Sequence, residues 1–286
     1  MAKYSIGKVW YSFMRPSYYT FKPSAHLSGI VSHYWVTTTD FEPNSLTTEQ
    51  TCLPLGTAEW IIQVRGELQL GKIDNEWRVF PSNYVVGLMD KPVHWKMHGN
   101  SQVIGISLKP EWFSAIFSFP LNSVHNAFIE AQFLDNPIFS LLRNHLLKEE
   151  NLEKQVALVD EFLIDWVDEQ KVANEFFVRA VGATRTGNAL FSTKALRDNF
   201  YLCDRQIQRL FKSHFGLSPK AYERITRFSH TIERITQNPK PCWNTLADEL
   251  GYSDRAHLVR EFKYFAGFTP SSTNLADSSI HRVMAK

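Results

Sequence analysis

The C-terminal third of this 286-residue chain contains the same short motif twice. Five residues recur 51 positions later with the spacing Arg-x-Phe-Lys-x-x-x-Gly-x-Ser/Thr-Pro preserved. They are Arg209, Phe211, Lys212, Gly216 and Pro219 in the first copy, and Arg260, Phe262, Lys263, Gly267 and Pro270 in the second. A solenoid needs about three repeats, so two copies are better interpreted as a duplicated motif.

Each copy is predicted to form two helices joined by a tight turn. In the second copy, apolar residues at helical spacing run from Trp243 to Leu250, and Gly251 ends that helix. Ser253-Asp254 then offers an N-cap for a second helix that reaches about Phe265 and buries Leu258, Phe262 and Phe265. A short helix, a turn and a second helix with a cationic outer face are the pattern of a helix-turn-helix.

The outer faces of the two second helices carry side chains that suit the edges of DNA bases. Arginine can pair with guanine through two hydrogen bonds, and glutamine can do the same with adenine. The candidates are Arg205, Gln208, Arg209, Arg255, His257 and Arg260. An alternative holds for Arg209 and Arg260: because both are repeated, they are also explained as structural ion-pair residues.

A second set of cations is predicted to hold DNA phosphates, which strengthens binding without reading sequence. This set is Lys212, Lys220, Arg224, Arg227 and Lys263. Some of these residues lie on a helix predicted to start at Ser218-Pro219 and to end near Gln237. At about 1.5 Å per residue it spans about 27 Å, so it is expected to hold two reading helices near the ~34 Å spacing of successive major grooves.

The charge of the chain is divided unevenly between its two parts. Residues 192–286 hold 15 Lys and Arg against 9 Asp and Glu, a net charge of +6, whereas residues 1–191 hold 16 against 20, a net charge of −4. A basic C-terminal part attached to a mildly acidic remainder is expected if only the former meets a polyanion.

The N-terminal part is predicted to be an antiparallel β unit, as a small barrel or sandwich. β-branched and aromatic residues fill the segments Ile30 to Val36 and Glu59 to Val64. Two further strands, His94 to Met97 and Val103 to Leu108, flank Gly99-Asn100, a pair suited to a hairpin turn. Five aromatic side chains either fill the core or line a pocket for an apolar or planar effector: Trp35, Trp60, Trp77, Tyr84 and Trp95.

A helix is predicted from about Asn151 to Gln170. Its apolar residues step by three and four and so share one face: Leu152, Val156, Val159, Leu163 and Trp166. This face either packs on the β unit or forms a short homodimer seam, since the same spacing is a coiled-coil pattern.

Several classes of protein are disfavoured. The sequence has no apolar run of the ~18 to 20 residues that a membrane span requires and no secretory signal pattern, so a cytoplasmic protein without membrane contact is expected. Three scattered cysteines suggest neither disulfides nor structural zinc. Common enzymatic motifs are absent, so we expect no enzyme, no cofactor and no metal. The alternative is a cupin-like enzyme built around Glu59, His94 and His98, with an accessory nucleic-acid-binding domain.

The C-terminal residues resemble the two-motif DNA-binding domain of AraC/XylS-type transcriptional regulators. The likeness lies in Leu246 to Asp254, in His257 through Gly267-Phe268-Thr269-Pro270, and in Arg205 to Pro219. The resemblance implies that double-stranded DNA and RNA polymerase are partners, and it adds Ala256 to the base-reading residues. This chain departs from the family at Cys203, where a serine usually caps the first reading helix, and at Arg197, where a small apolar residue is usual.

The N-terminal part is similar to the small β-barrel regulatory domain of one branch of this family. The residues that carry the likeness are His33-Tyr34-Trp35, Gly56 to Gln63, and Val103 to Leu108 followed by Lys109-Pro110. The resemblance implies sensing of a small molecule or dimerisation. We therefore predict an α+β protein, with a cupin-like regulatory domain at 1–170 and an all-α domain at 173–286 that holds two helix-turn-helix motifs joined by a long helix.

Overall fold

The N-terminal part is built from antiparallel strands. The computed structural model describes residues 15–42, 45–169, 176–184 and 191–271. Its strands are β1 (Ser17–Phe21), β2 (Val31–Thr38), β3 (Gln50–Cys52), β4 (Ala58–Arg65), β5 (Leu70–Ile73), β6 (Glu76–Val79), β7 (Asn83–Val86), β8 (Val93–Lys96), β9 (Gln102–Leu108) and β10 (Phe128–Glu130). Strands β2 and β4 cover the two segments predicted as strands from their β-branched and aromatic residues.

The strands form two sheets, so the predicted α+β fold with an antiparallel β unit is confirmed, but the barrel form of that unit is wrong. One sheet has the order β1-β2-β9-β4-β7-β10 and the other β3-β8-β5-β6. In the part of the chain that is described, no strand pairing closes them into one cylinder. The strands of the second sheet have only three or four residues, and its edge strands β3 and β6 pair with no strand of the larger sheet within the described residues.

The hairpin predicted at Gly99-Asn100 is also wrong. The turn is present, with Asn100 in the left-handed region at φ 53°. However, β8 before it belongs to the smaller sheet and β9 after it to the larger one. The Gly99 N–H donates to the Ser45 carbonyl at 2.9 Å, which ties the turn to another loop and sends the chain from one sheet to the other.

One face of the larger sheet packs on helices. Trp60 is fully buried there and contacts the rings of Phe117 and Phe139, with centroids 5.6 and 4.9 Å away. The opposite face is turned toward the smaller sheet, because Phe80 covers Gly71 of that sheet and also meets Tyr84 of the larger one. The domain core therefore lies between the large sheet and the helices.

The helices follow in chain order, apart from short 3-10 turns. They are α1 (Phe113–Phe117), α2 (Ile138–Leu146), α3 (Leu152–Glu169), α4 (Phe176–Ala183), α5 (Thr193–Phe200), α6 (Asp204–Phe215), α7 (Pro219–Gln237), α8 (Trp243–Glu249) and α9 (Arg255–Ala266). In the described ranges, no helix has the length and apolar character that crossing a membrane requires. The boundary predicted between residues 170 and 173 lies outside the described residues.

The apolar stripe of α3 packs within the chain. Val156, Val159 and Leu163 are buried, and the Trp166 indole N–H donates to the Ile116 carbonyl at 3.0 Å. The core interpretation of this stripe is confirmed. Because its central residues are already covered, the stripe is not free to form the predicted dimer seam.

Candidate nucleic-acid interface

The repeated residues have the same structural roles in both copies. Phe211 and Phe262 are fully buried in their respective motifs. Gly216 and Gly267 both adopt the left-handed conformation that ends a helix, and their N–H groups donate to the carbonyls four residues earlier, at 3.2 and 2.9 Å. The pairs α5–α6 and α8–α9 are therefore two copies of one helix-turn-helix, as the spacing predicted.

The second reading helix, α9, has the predicted N-cap. The Asp254 carboxylate accepts the backbone N–H of His257 at 2.6 Å. This hydrogen bond lowers the pKa of the Asp254 carboxyl, because it favours the charged form. The cap satisfies an N–H group that has no partner within the helix, and it fixes the start of α9.

The first reading helix, α6, begins differently because Cys203 stands at its N-cap. Here the Gln206 side chain accepts the Cys203 backbone N–H at 2.9 Å, which is one half of a capping box. Arg197 forms an ion pair with Asp204, the first residue of α6, at 2.9 Å. The two residues that depart from the family pattern therefore lie in one local arrangement that supports this helix start.

The base-reading candidates lie on the outer faces of α6 and α9. All but one are exposed: Arg205, Gln208, Arg209, Arg255, Ala256 and Arg260. His257 is half-buried, and its Nδ1 lies 3.1 Å from the Ser253 hydroxyl. Among the described residues neither Arg209 nor Arg260 forms a close ion pair, although the charge of Arg260 contributes to lowering the pKa of the Asp254 carboxyl.

The predicted phosphate contacts divide into two groups. Lys212, Lys220 and Lys263 are exposed. Arg224 instead pairs with the buried Glu261, at 2.6 Å, and also lies over the Tyr264 ring. Arg227 lies over the Tyr252 ring, with 5.1 Å between guanidinium and centroid. These two arginines therefore contact the fold itself.

Glu261 is a residue that sequence reasoning missed. It lies on the inner side of α9, between the exposed Arg260 and the buried Phe262. A charged residue at a buried helix position signals a buried partner, but the sequence does not say which. The partner is 37 positions away, on α7.

The five aromatic residues predicted to line an effector pocket do not share one space. Trp35, Tyr84 and Trp95 lie on the sides of the two sheets that face each other. The strand pairing shows this, because Trp35 is opposite Gly105 and Tyr84 is opposite Ile61 in the larger sheet. In the smaller sheet, Trp95 is opposite Gly71. Trp60 is on the opposite face of its strand, packed on helices. The Trp77 ring lies beneath the ammonium groups of Lys72 and Lys96, on the outer side of the smaller sheet.

Glu59 is the central polar residue between the two sheets. Its carboxylate accepts hydrogen bonds from the Trp35 indole at 3.0 Å, the Ser107 hydroxyl at 2.8 Å and the Thr57 hydroxyl at 2.6 Å. Ser107 also lies 3.3 Å from Nε2 of His33. Trp35 is fixed further by stacking on Tyr18, with centroids 5.9 Å apart. The arrangement places a carboxylate and two rings in a defined geometry.

Two side chains near Glu59 have raised pKa values. Burial, with a smaller contribution from Glu59, raises the pKa of the Cys52 thiol to about 12, yet this side chain has accessible surface. Burial also raises the pKa of Tyr18, which is half-buried.

The enzyme alternative required Glu59, His94 and His98 to come together, and they do not. His94 lies 3.1 Å from Glu49, and His98 lies 3.2 Å from Glu67. In β8, His94 alternates with Trp95 and so faces away from Glu59. Within the described residues no group of three His, Cys, Asp or Glu is placed to hold a metal ion.

A cleft of about 780 Å³ lies elsewhere, beside β7, β10 and α2. Phe80, Asn83 and Arg143 are among the residues that line it, and none of the five predicted aromatic residues does. Nε of Arg143 is buried, without a hydrogen-bond partner in the described part of the chain. Sequence reasoning had no signal for this cleft, because it forms where a strand edge meets a helix.

Two family descriptions match the sequence. Residues 19–130 match a domain of unknown function, DUF6597, and residues 198–275 match a helix-turn-helix domain. No curated protein matches.

Among solved structures, ToxT from Vibrio cholerae is 10% identical, over 92% of this chain and 97% of its own, with a TM-score of 0.43. The unsaturated fatty acid-bound form of ToxT is 10% identical, over 83% and 93%, with a TM-score of 0.41. CuxR, described as an AraC-like transcriptional activator, is 14% identical, over 90% and 83%, with a TM-score of 0.29. The helix-turn-helix match and the two motifs in the structure together identify this chain as a DNA-binding transcription regulator whose helix-turn-helix domain matches over residues 198–275.

Proposed function

We propose that this regulator reads two adjacent major grooves of one DNA duplex with α6 and α9. The observation that carries the proposal is the exposure of arginine and glutamine side chains on both helices, while the repeated phenylalanines are buried. The base-reading residues would be Arg205, Gln208, Arg209, Arg255, Ala256, His257 and Arg260. Their chemistry suits the base edges of the major groove.

The spacing of the two motifs follows from the helix that joins them. Helix α7 has 19 residues, about 28 Å at the usual rise, and the Ser218 hydroxyl caps its start by accepting the Ala221 N–H. With the adjoining turns added, this length suits the ~34 Å between successive major grooves. Lys212, Lys220 and Lys263 would contact phosphates on either side, whereas Arg224 and Arg227 hold α7 to its neighbours.

An effector would bind between the two sheets, beside Glu59. The half-buried Trp35 and Trp95 offer planar surfaces, whereas Tyr84 is buried against Phe80 and Phe128. The Glu59 carboxylate offers a fixed hydrogen-bond acceptor. A planar molecule with an N–H or O–H donor fits this chemistry. Glu59→Gln keeps the size of the side chain and removes its charge, so it tests the acceptor without emptying the site.

The remaining partners follow from the family resemblance. RNA polymerase would be contacted by the DNA-bound regulator, and a homodimer would bring two such modules to one promoter. Any dimer would use surface outside the α3 stripe, because Val159 and Leu163 of that stripe are buried. We assign residues 1–170 to regulation and 173–286 to DNA binding.

Selection of duplexes from a random pool by the full-length protein tests the proposal. We expect an enriched site, and binding to it should weaken with salt at a log-log slope of about −0.9 for each phosphate neutralised. A double variant, Arg205→Ala with Arg255→Ala, should lose sequence preference in both parts of the enriched site, the part read by α6 and the part read by α9. A pool without enrichment, or a slope near zero, would contradict sequence-specific DNA binding.

A further inference from the structure

Tyr201, in the turn between α5 and α6, has a conformation and an exposure that the fold does not explain. Its side chain is 93% exposed, the highest value among the exposed large apolar and aromatic residues of the described chain. Its backbone is left-handed, with φ 53° and ψ 34°. A bulky residue rarely adopts this conformation, and strain of this kind persists mainly where it serves a function.

The second motif shows how the same kind of turn is made without strain. There the left-handed residue is Gly251, at φ 71°, with open space around the position of a side chain. Glycine adopts this conformation freely, so it is the residue expected when only the turn matters. The first motif has a tyrosine at its left-handed position although no contact within the described residues holds its ring.

The position of Tyr201 points to the DNA backbone. It lies two residues before the N-cap of α6 and four before Arg205, near the N-terminal end of the helix that is proposed to enter the groove. In helix-turn-helix proteins, the N-terminal residues of this helix meet the bases and the adjoining elements cross the sugar-phosphate chain. Tyrosine hydroxyls are among the groups that bind phosphate oxygens there.

The surroundings of Tyr201 are mostly polar at the start of α6, where the carboxylate of Asp204 is paired with Arg197. The exposed apolar neighbour is Phe176, which is 47% exposed and meets the Phe200 ring with centroids 5.8 Å apart. An aromatic anchor for a protein would normally stand within a larger patch of apolar neighbours. The Tyr201 hydroxyl instead suits one hydrogen bond to a charged acceptor.

We infer that the Tyr201 hydroxyl donates a hydrogen bond to a DNA phosphate beside the first reading helix. This rests on the proposed DNA reading by α6. The contact would position α6 on the duplex without reading sequence, so it would strengthen binding to all duplexes alike. Because the phenol is uncharged, it would release no counterion and leave the salt slope unchanged.

The test uses Tyr201→Phe and Tyr201→Gly in the full chain, on the duplex selected by the wild type and on a scrambled one. Both variants should bind both duplexes about three- to tenfold more weakly, with an unchanged salt slope. Tyr201→Gly should unfold at the same temperature as the wild type or higher, because it relieves the strained turn. Tyr19→Phe, at another exposed tyrosine in β1, is the matched control and should bind normally.

Each other result overturns the inference in a distinct way. If Tyr201→Phe binds DNA as tightly as the wild type, the hydroxyl makes no hydrogen bond to DNA. If both variants bind as tightly as the wild type, Tyr201 makes no contact with DNA. A lower unfolding temperature for Tyr201→Gly would assign Tyr201 to the fold instead. Failure of the wild type to bind any duplex would reject the proposed function, and that result is separate from any comparison of variants.

Discussion

Lys220 and Arg224 lie one turn apart on α7 and have different environments. Lys220 is exposed, whereas the Arg224 guanidinium pairs with the buried Glu261 carboxylate. Arg224→Ala should therefore lower the free energy of unfolding by about 2–3 kcal/mol, since it leaves a buried carboxylate without its cation. Lys220→Ala should change it by less than about 0.5 kcal/mol. Urea denaturation of the two variants checks this. Equal stabilities would mean that Arg224 does not stabilise the fold, and it would then again be a candidate for contacting phosphate.

Arg255 and Lys263 are both exposed on α9, but they should affect DNA binding differently. Arg255→Ala should relax the preference at one base position by about 1–3 kcal/mol, because it removes a bidentate partner. Lys263→Ala should weaken binding to all duplexes alike, and it should reduce the steepness of the salt dependence by the amount expected for about one phosphate contact. Binding to single-base variants of the selected duplex measures both effects. Similar losses on cognate and scrambled duplexes for both variants would contradict the assignment.

At the level of single elements, the start of α9 should depend on pH through Asp254. The folded state lowers the pKa of this carboxyl, so the stabilisation is present above its ordinary value near 3.8 and is lost as the pH falls through the lowered value. Asp254→Ala should therefore unfold at a lower temperature than the wild type at pH 6, and the difference should shrink toward pH 3. Asp254→Asn retains a good capping group and is the control. A difference independent of pH would show that the charge contributes nothing.

The elements also show what a sequence can predict and where tertiary structure decides. The helix-turn-helix pairs were predictable because caps, left-handed glycines and buried phenylalanines all follow from local spacing. The pairing of β8 and β9 was not, because adjacent strands joined by a suitable turn belong to different sheets. Trp60 illustrates the same point. Because it follows Glu59 in β4, the two side chains lie on opposite faces of the sheet, but only the three-dimensional structure shows which face meets the other sheet.

In the whole molecule, the first helix-turn-helix packs against the N-terminal part. Gly216, at the end of α6, lies so close to Asn122 and His125 that an added side-chain carbon would be 3.3 and 3.2 Å from them. Ile225 of α7 similarly lies beside Gly56. The end of the first reading helix is therefore fixed against residues of the N-terminal part.

Two glycines with the same backbone conformation distinguish the effect of this contact on stability from the effect of local backbone strain. Gly216 and Gly251 have φ of 72° and 71°, but only Gly216 has neighbours within 4 Å of an added side-chain carbon. Gly251→Ala should lower the free energy of unfolding by about 1–2 kcal/mol, the cost of a left-handed alanine. Gly216→Ala should lower it further, because the backbone of Asn122 must also move. Chemical denaturation measures the difference, and limited proteolysis should detect a looser contact only in Gly216→Ala. Equal destabilisation of the two variants would mean that the first helix-turn-helix is not docked on the N-terminal part in solution.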